Sequence, residues 1–192
     1  MDARYASLSR IKMEFKRIDD INDVDFADAW EIYEYSFPDD EKRSLDAQRI
    51  AFKEKIYGFY AAKKDNQVIG LMAVWDIGDY YFVDHIATSK ELRGQGLGAQ
   101  VMREFIAQHQ KRFVLEVEPP TAGEMEKRRI GFYERLGYKF NNYDYTQPPM
   151  EPGKDTVKLF LMTYPDEMTE EEFDRVRERL HKIVYKQKEV IK

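Results

Sequence analysis

Three glycines at alternate positions, in Arg93-Gly94-Gln95-Gly96-Leu97-Gly98, form the stretch of this chain best suited to holding a ligand. They leave no Cβ to block close approach, so several backbone N–H groups can converge on one molecule. A helix with Leu97, Val101, Met102 and Phe105 on one face opens directly behind them. Those N–H groups therefore stand at a positive helix end, which favours anions. Arg93 adds a permanent charge and a planar fork of donors suited to phosphate. The chemistry is that of a phosphate or pyrophosphate cradle.

Two kinds of cradle, and a plain strand-to-helix turn, compete for this loop. Gly94-Gln95-Gly96-Leu97-Gly98-Ala99 fits the dinucleotide fingerprint G-x-G-x-x-G/A, and Glu116 and Glu118 lie near the distance expected of a ribose-binding acid. That fingerprint begins immediately after a strand, whereas here about six polar or charged residues intervene. The second pattern, R/Q-x-x-G-x-G/A, is satisfied by Arg93, Gly96 and Gly98.

The elements that must position the loop follow from periodicity. Residues 80–87, aromatic and β-branched, form the strand that leads into it. Ahead of that strand, residues 12–18 alternate as a first strand. Asn22 or Asp23 caps a helix bearing Phe26, Ala29, Trp30, Tyr33 and Phe37. Ser44 caps a second helix with Leu45, Phe52 and Ile56 inward, and strands at 58–63 and 68–77 make a hairpin about Lys64-Asp65-Asn66-Gln67. Beyond the loop, residues 113–118 alternate, with Phe113, Leu115 and Val117 on one face and Val114, Glu116 and Glu118 on the other. A helix over 124–136 stops at Gly137, and strands at 138–145 and 156–164 close the pattern. A last helix starts at the capping box Thr169/Glu172. Its stripe of Phe173, Val176, Leu180, Ile183, Val184 and Ile191 either docks on its own domain or makes a dimer contact. The order β-α-α-β-β-β-α-β-α-β-β plus a C-terminal helix predicts an α/β (α+β) fold: a mixed sheet with helices on both faces. Residues 1–165 are expected as one domain and 166–192 as an appended amphipathic helix. The repeated βαβ units of a dinucleotide domain are missing.

Composition narrows the partners. The 192 residues are 43% hydrophobic and 14% aromatic, enough for a real core. A net charge of −5 disfavours nucleic acid. Zero cysteines exclude disulfides, thiolate metal sites and a cysteine acyl-enzyme, and the three histidines show no ligand spacing. The N-terminus lacks an apolar leader region, and no stretch approaches about 18 continuous apolar residues. A soluble, cytoplasmic protein with no membrane contact is expected.

Ile86-Ala87-Thr88 ahead of Leu92-Arg93-Gly94-Gln95-Gly96-Leu97-Gly98 resembles the acetyl-CoA site of the GNAT superfamily of acyl-CoA-dependent N-acyltransferases. Arg129-Ile130-Gly131-Phe132-Tyr133-Glu134-Arg135-Leu136-Gly137-Tyr138 resembles the family's second signature, a helix carrying a tyrosine and running into a strand. Together they are far more specific than either alone, and the resemblance spans roughly residues 12–164. The chain departs from the family in having no Asn early in that helix and a longer loop at 119–123.

The resemblance implies a GNAT-like, mostly antiparallel sheet and direct transfer of an acetyl group from acetyl-CoA to a primary amine in a ternary complex, without a metal. The acceptor would be a small molecule or a peptide amine, and a homodimer is compatible. Ile86, Ala87, Thr88, Arg93, Gly94, Gln95, Gly96, Leu97, Gly98, Phe132 and Arg135 would bind the cofactor, with adjacent strands splayed to admit its pantetheine arm. Tyr133, protonated at neutral pH, would hand a proton to the departing sulfur. The base would be Glu116 or, second, Asp84, while His85 is read as structural. The alternative is a non-catalytic acyl-CoA-binding module with a degenerate acceptor site.

Overall fold

The computed structural model describes residues 13–39, 41–92, 94–149 and 155–186. Its strands are β1 (Glu14–Ile18), β2 (Tyr57–Lys64), β3 (Gln67–Asp76), β4 (Tyr80–Thr88), β5 (Arg112–Val117), β6 (Lys139–Gln147) and β7 (Val157–Tyr164). They form one seven-stranded sheet in the order β1-β2-β3-β4-β5-β7-β6. Every described pairing is antiparallel except β4 with β5. The mixed, mostly antiparallel sheet read from the sequence is the one found.

The helices are α1 (Phe26–Ser36), α2 (Leu45–Ala51), α3 (Leu97–Gln108), α4 (Glu124–Arg135) and α5 (Glu170–Arg179), the last continuing as a wide turn over Leu180–Val184. One core, with Phe26, Tyr33, Phe59, Trp75 and Phe82, lies on the α1 face and takes in Phe173, Val176 and Leu180 of the C-terminal segment. The other, with Met102, Phe105, Phe113, Leu115 and Tyr138, lies on the α3–α4 face. The C-terminal stripe thus docks on its own domain; Ile191 falls outside the described residues.

Two local expectations are corrected. α1 has Asp25 at its N-cap position, with no side-chain cap. The Asp25 carboxylate instead pairs with Lys16 and Lys63, both at 2.8 Å, because a strong charge partner outcompetes an orphan amide. α2 is capped by Ser44 as expected, but its seven residues turn Gln48 and Ala51 inward and leave Leu45 exposed, and Ile56, beyond the end of the helix, is exposed as well. So short a helix presents a single inward turn.

The pairing of β4 with β5 covers only Tyr80↔Arg112, Tyr81↔Phe113 and Phe82↔Val114. Just past it a bulge opposes Val74 to Val83 and Ala73 to His85, leaving Asp84 as the extra residue on β4. A bulge bends its strand and sends consecutive side chains to one face. Asp84 and His85 accordingly both meet groups of the α1 face, and β4 and β5 diverge.

Candidate active site

Where the two strands part, a cleft of about 300 Å³ opens on the α3–α4 side. Ile86, Ala87 and Thr88 line one wall; β3 pairs with their other edge, so the edge toward β5 has no strand partner among the described residues. Gly98, in the first turn of α3, lines it as well, and a Cβ there would touch the Phe132 ring at 3.9 Å. Gly94 (φ +80°) and Gly96 (φ +73°) hold the left-handed conformation that favours glycine, and Gly96 is the N-cap of α3. A Cβ on either would meet no protein atom within 4 Å, so the space beside the loop is open. Gln95 is exposed and Leu97 half-buried against the α3–α4 core, while Arg93 lies outside the described residues.

Helix α4 supplies the opposite wall. Arg129, Phe132 and Tyr133 stand at i, i+3 and i+4, hence on one helical face, and all three line the cleft. Arg135 falls off that face and is exposed. Tyr133 packs on Phe132 and Tyr138, with ring centroids 5.2 and 5.6 Å apart. Burial pushes its hydroxyl up to about 12, against the nearby Arg129 charge, so it is fully protonated at neutral pH. Arg129 is itself held by both oxygens of Glu118 at 2.6 Å. Sequence reasoning passed over Arg129, although its spacing from Tyr133 was the available signal. It also passed over Ser36 and Phe37, which reach the cleft from the end of α1.

Asp84 and Glu116 sit on the other face of the sheet, and neither lines the cleft. Asp84 is ion-paired with Arg43 (2.5 Å), accepts from the Trp75 indole (3.0 Å) and lies 3.4 Å from His85 Nδ1. Burial raises its carboxyl, but the Arg43 guanidinium, with the His85 ring beside it, outweighs burial and holds it well below the usual carboxylate range. Among the described residues, Glu116 has no cationic partner in that network. The Tyr145 hydroxyl donates to its Oε1 and the Tyr185 hydroxyl to its Oε2 at 2.7 Å. Burial pushes Glu116 up to about 7, the two hydroxyls pull it down, and the Asp84 charge adds to the rise. His85 is enclosed by Tyr33 and Phe37, at 4.8 and 4.6 Å, with Nε2 3.0 Å from the Glu41 carbonyl.

Among the described residues no group of three or more acidic or histidine side chains is arranged to hold a metal. None of their helices is long and apolar enough to cross a membrane.

A family model described as the acetyltransferase (GNAT) domain matches residues 55–140, which hold the glycine loop, β5 and α4. A solved structure of a GNAT-family protein from Bacteroides thetaiotaomicron is 33% identical, covers 91% of this chain and 99% of its own, and superposes with a TM-score of 0.85. YjbC of Bacillus subtilis, named as an acetyltransferase, is 29% identical over 104 residues. That match takes in 54% of this chain and 52% of YjbC, so the chain spans about half the length of that curated relative. A GNAT acetyltransferase from Elizabethkingia anophelis, solved with acetyl-CoA bound, shares the fold at 16% identity and a TM-score of 0.53, covering 79% of this chain and 97% of its own.

Proposed function

Because the chain belongs to the GNAT acetyltransferase family, we propose that it moves an acetyl group from acetyl-CoA to a primary amine by direct transfer. The observation that carries this reading is a protonated tyrosine, Tyr133, in a cleft that starts at the glycine loop and runs along the unpaired edge of β4. The residues present fit the cofactor: the loop is open where any side chain would intrude, and its amides lie at the positive end of α3.

When bound, acetyl-CoA supplies a thioester whose carbonyl carbon bonds to the amine nitrogen as the carbon–sulfur bond breaks. The amides of Gly94–Gly98 would hold its phosphates, and Arg93 would supply their cation. The free edge of Ile86–Thr88 would hydrogen-bond the pantetheine arm. Tyr133 gives its hydroxyl proton to the leaving sulfur. Glu116, which does not itself line the cleft, takes the proton that the amine loses, through water. With its carboxyl titrating near 7, a useful fraction is ionised at neutral pH. Asp84, locked to Arg43, is too weak a base for that task and serves to order the α1 face.

The test is CoA release from acetyl-CoA over a panel of polyamines, amino sugars, peptide N-termini and lysine peptides. Acceptor-dependent release above the hydrolytic background is expected for at least one class. Tight acetyl-CoA binding with no release over the whole panel would favour a binding module instead.

A further inference from the structure

The C-terminal segment lies outside the family match and both signature motifs, yet it reaches the carboxylate on the α1 face. Helix α5 is fastened to the sheet by the Arg112–Glu172 ion pair (2.6 Å). Arg179 adds a second tie, donating to the Ile77 carbonyl at 2.6 Å. Past Arg179 the helix widens, and the Tyr185 N–H donates to the Leu180 carbonyl five residues back (3.1 Å). Such wide turns shift the register of a helix face. Here Tyr185 rather than Val184 becomes the buried residue that follows Phe173, Val176 and Leu180. Its hydroxyl accepts from Gln147 Nε2 at 2.9 Å and donates to Glu116 Oε2 at 2.7 Å, so the direction of that hydrogen-bonded chain is set. Tyr145 donates to the other oxygen.

We propose that Tyr185 is a positioning residue: with Tyr145 it fixes both oxygens of Glu116, so that the C-terminal helix completes the proton-accepting half of the site. The proposal rests on the reading of Glu116 as the base. Two buried donors favour the charged carboxylate, which burial alone would neutralise. The other groups around Glu116 work differently. Asp84, facing it from β4, disfavours its charge, while Arg43 and His85 are engaged with Asp84 itself. His181, on the same C-terminal turn with its ring 5.9 Å from that of Tyr145, has its proton affinity lowered by burial.

The experiment follows the infrared C=O stretch of the protonated Glu116 carboxyl, identified as the band missing in Glu116→Gln, as pH is varied. In the wild type the band should disappear with a midpoint near 7. In Tyr185→Phe, and again in Tyr145→Phe, the midpoint should move up by about one unit or more, the loss of one hydrogen bond to a charged group. Tyr143→Phe is the control, because its hydroxyl bonds the Met168 carbonyl (3.2 Å) in the same region and does not touch Glu116; its midpoint should stay. An unchanged midpoint in folded Tyr185→Phe overturns the proposal, as does an equal shift in the control. Failure of the base reading would show separately, as undiminished turnover in Glu116→Gln with the titration shifts intact.

Discussion

The two faces of the sheet are built in contrasting ways. On the α3–α4 face, the groups assigned to the acyl donor come mostly from two short stretches, 86–98 and 129–133, and act largely through backbone geometry. On the α1 face, two carboxylates four residues from their strand starts are surrounded by groups gathered from Tyr33 to Tyr185. Contiguous backbone devices leave a linear pattern, whereas a buried polar cluster leaves scattered residues whose roles appear only after folding. The contrast also divides the two carboxylates. Asp84 is paired with a buried cation, whereas Glu116 is held by the hydroxyls of Tyr145 and Tyr185.

Replacing each carboxylate by its amide sharpens that division. Glu116→Gln should lower the chemical step about 10²–10⁴-fold with acetyl-CoA affinity unchanged. Asp84→Asn should leave Arg43 buried without its counter-ion and destabilise the fold by about 3–5 kcal/mol, read from a denaturation midpoint. If Asp84→Asn were stable and inactive, and Glu116→Gln active, the two roles would be exchanged.

Legibility followed the same line. The glycine loop could be read because a left-handed backbone at φ +80° and +73° favours glycine, and the hairpin and capped helices announced themselves by turn and cap residues. The α1 face resisted for reasons that are local and physical. The β4 bulge breaks strict alternation, so Asp84 and His85 share a face that a period of two would divide between them. The wide turn at Leu180–Val184 hides Tyr185 from a 3.6-residue period, which points to Val184 instead. Arg43 gave no sign of burial, because its partner Asp84 lies across the fold.

The donor face has its own test. Gly96→Val forces a β-branched residue into a left-handed conformation and fills the space beside the loop. At about a hundredfold excess of acetyl-CoA over Kd, the wild type should gain roughly 2.7 kcal/mol of stability, and the variant should gain almost none. A full gain in Gly96→Val would make the loop a mere turn and place the donor elsewhere.

The smallest effect is a slope. Glu116 keeps its proton in the folded state to about pH 7 but loses it near 4.5 when unfolded. Its contribution to stability is therefore complete below about 4.5 and lost as pH rises toward 7. Asp84, with its carboxyl lowered, contributes above its ordinary range and loses that contribution in acid. Urea midpoints from pH 4.5 to 7 should accordingly fall less steeply in Glu116→Gln than in the wild type. An unaltered slope would remove the raised proton affinity from the account.

Tyr133 carries the claim that the α3–α4 face performs chemistry and not only binding. Tyr133→Phe retains the ring packed on Phe132 and Tyr138 and deletes only the proton donor. Turnover and acetyl-CoA affinity, measured on one folded preparation, should show kcat and kcat/KM reduced together by about 10²–10⁴-fold with Kd unchanged. A kcat near the wild-type value, with chemistry rate-limiting, would contradict the role assigned to this tyrosine.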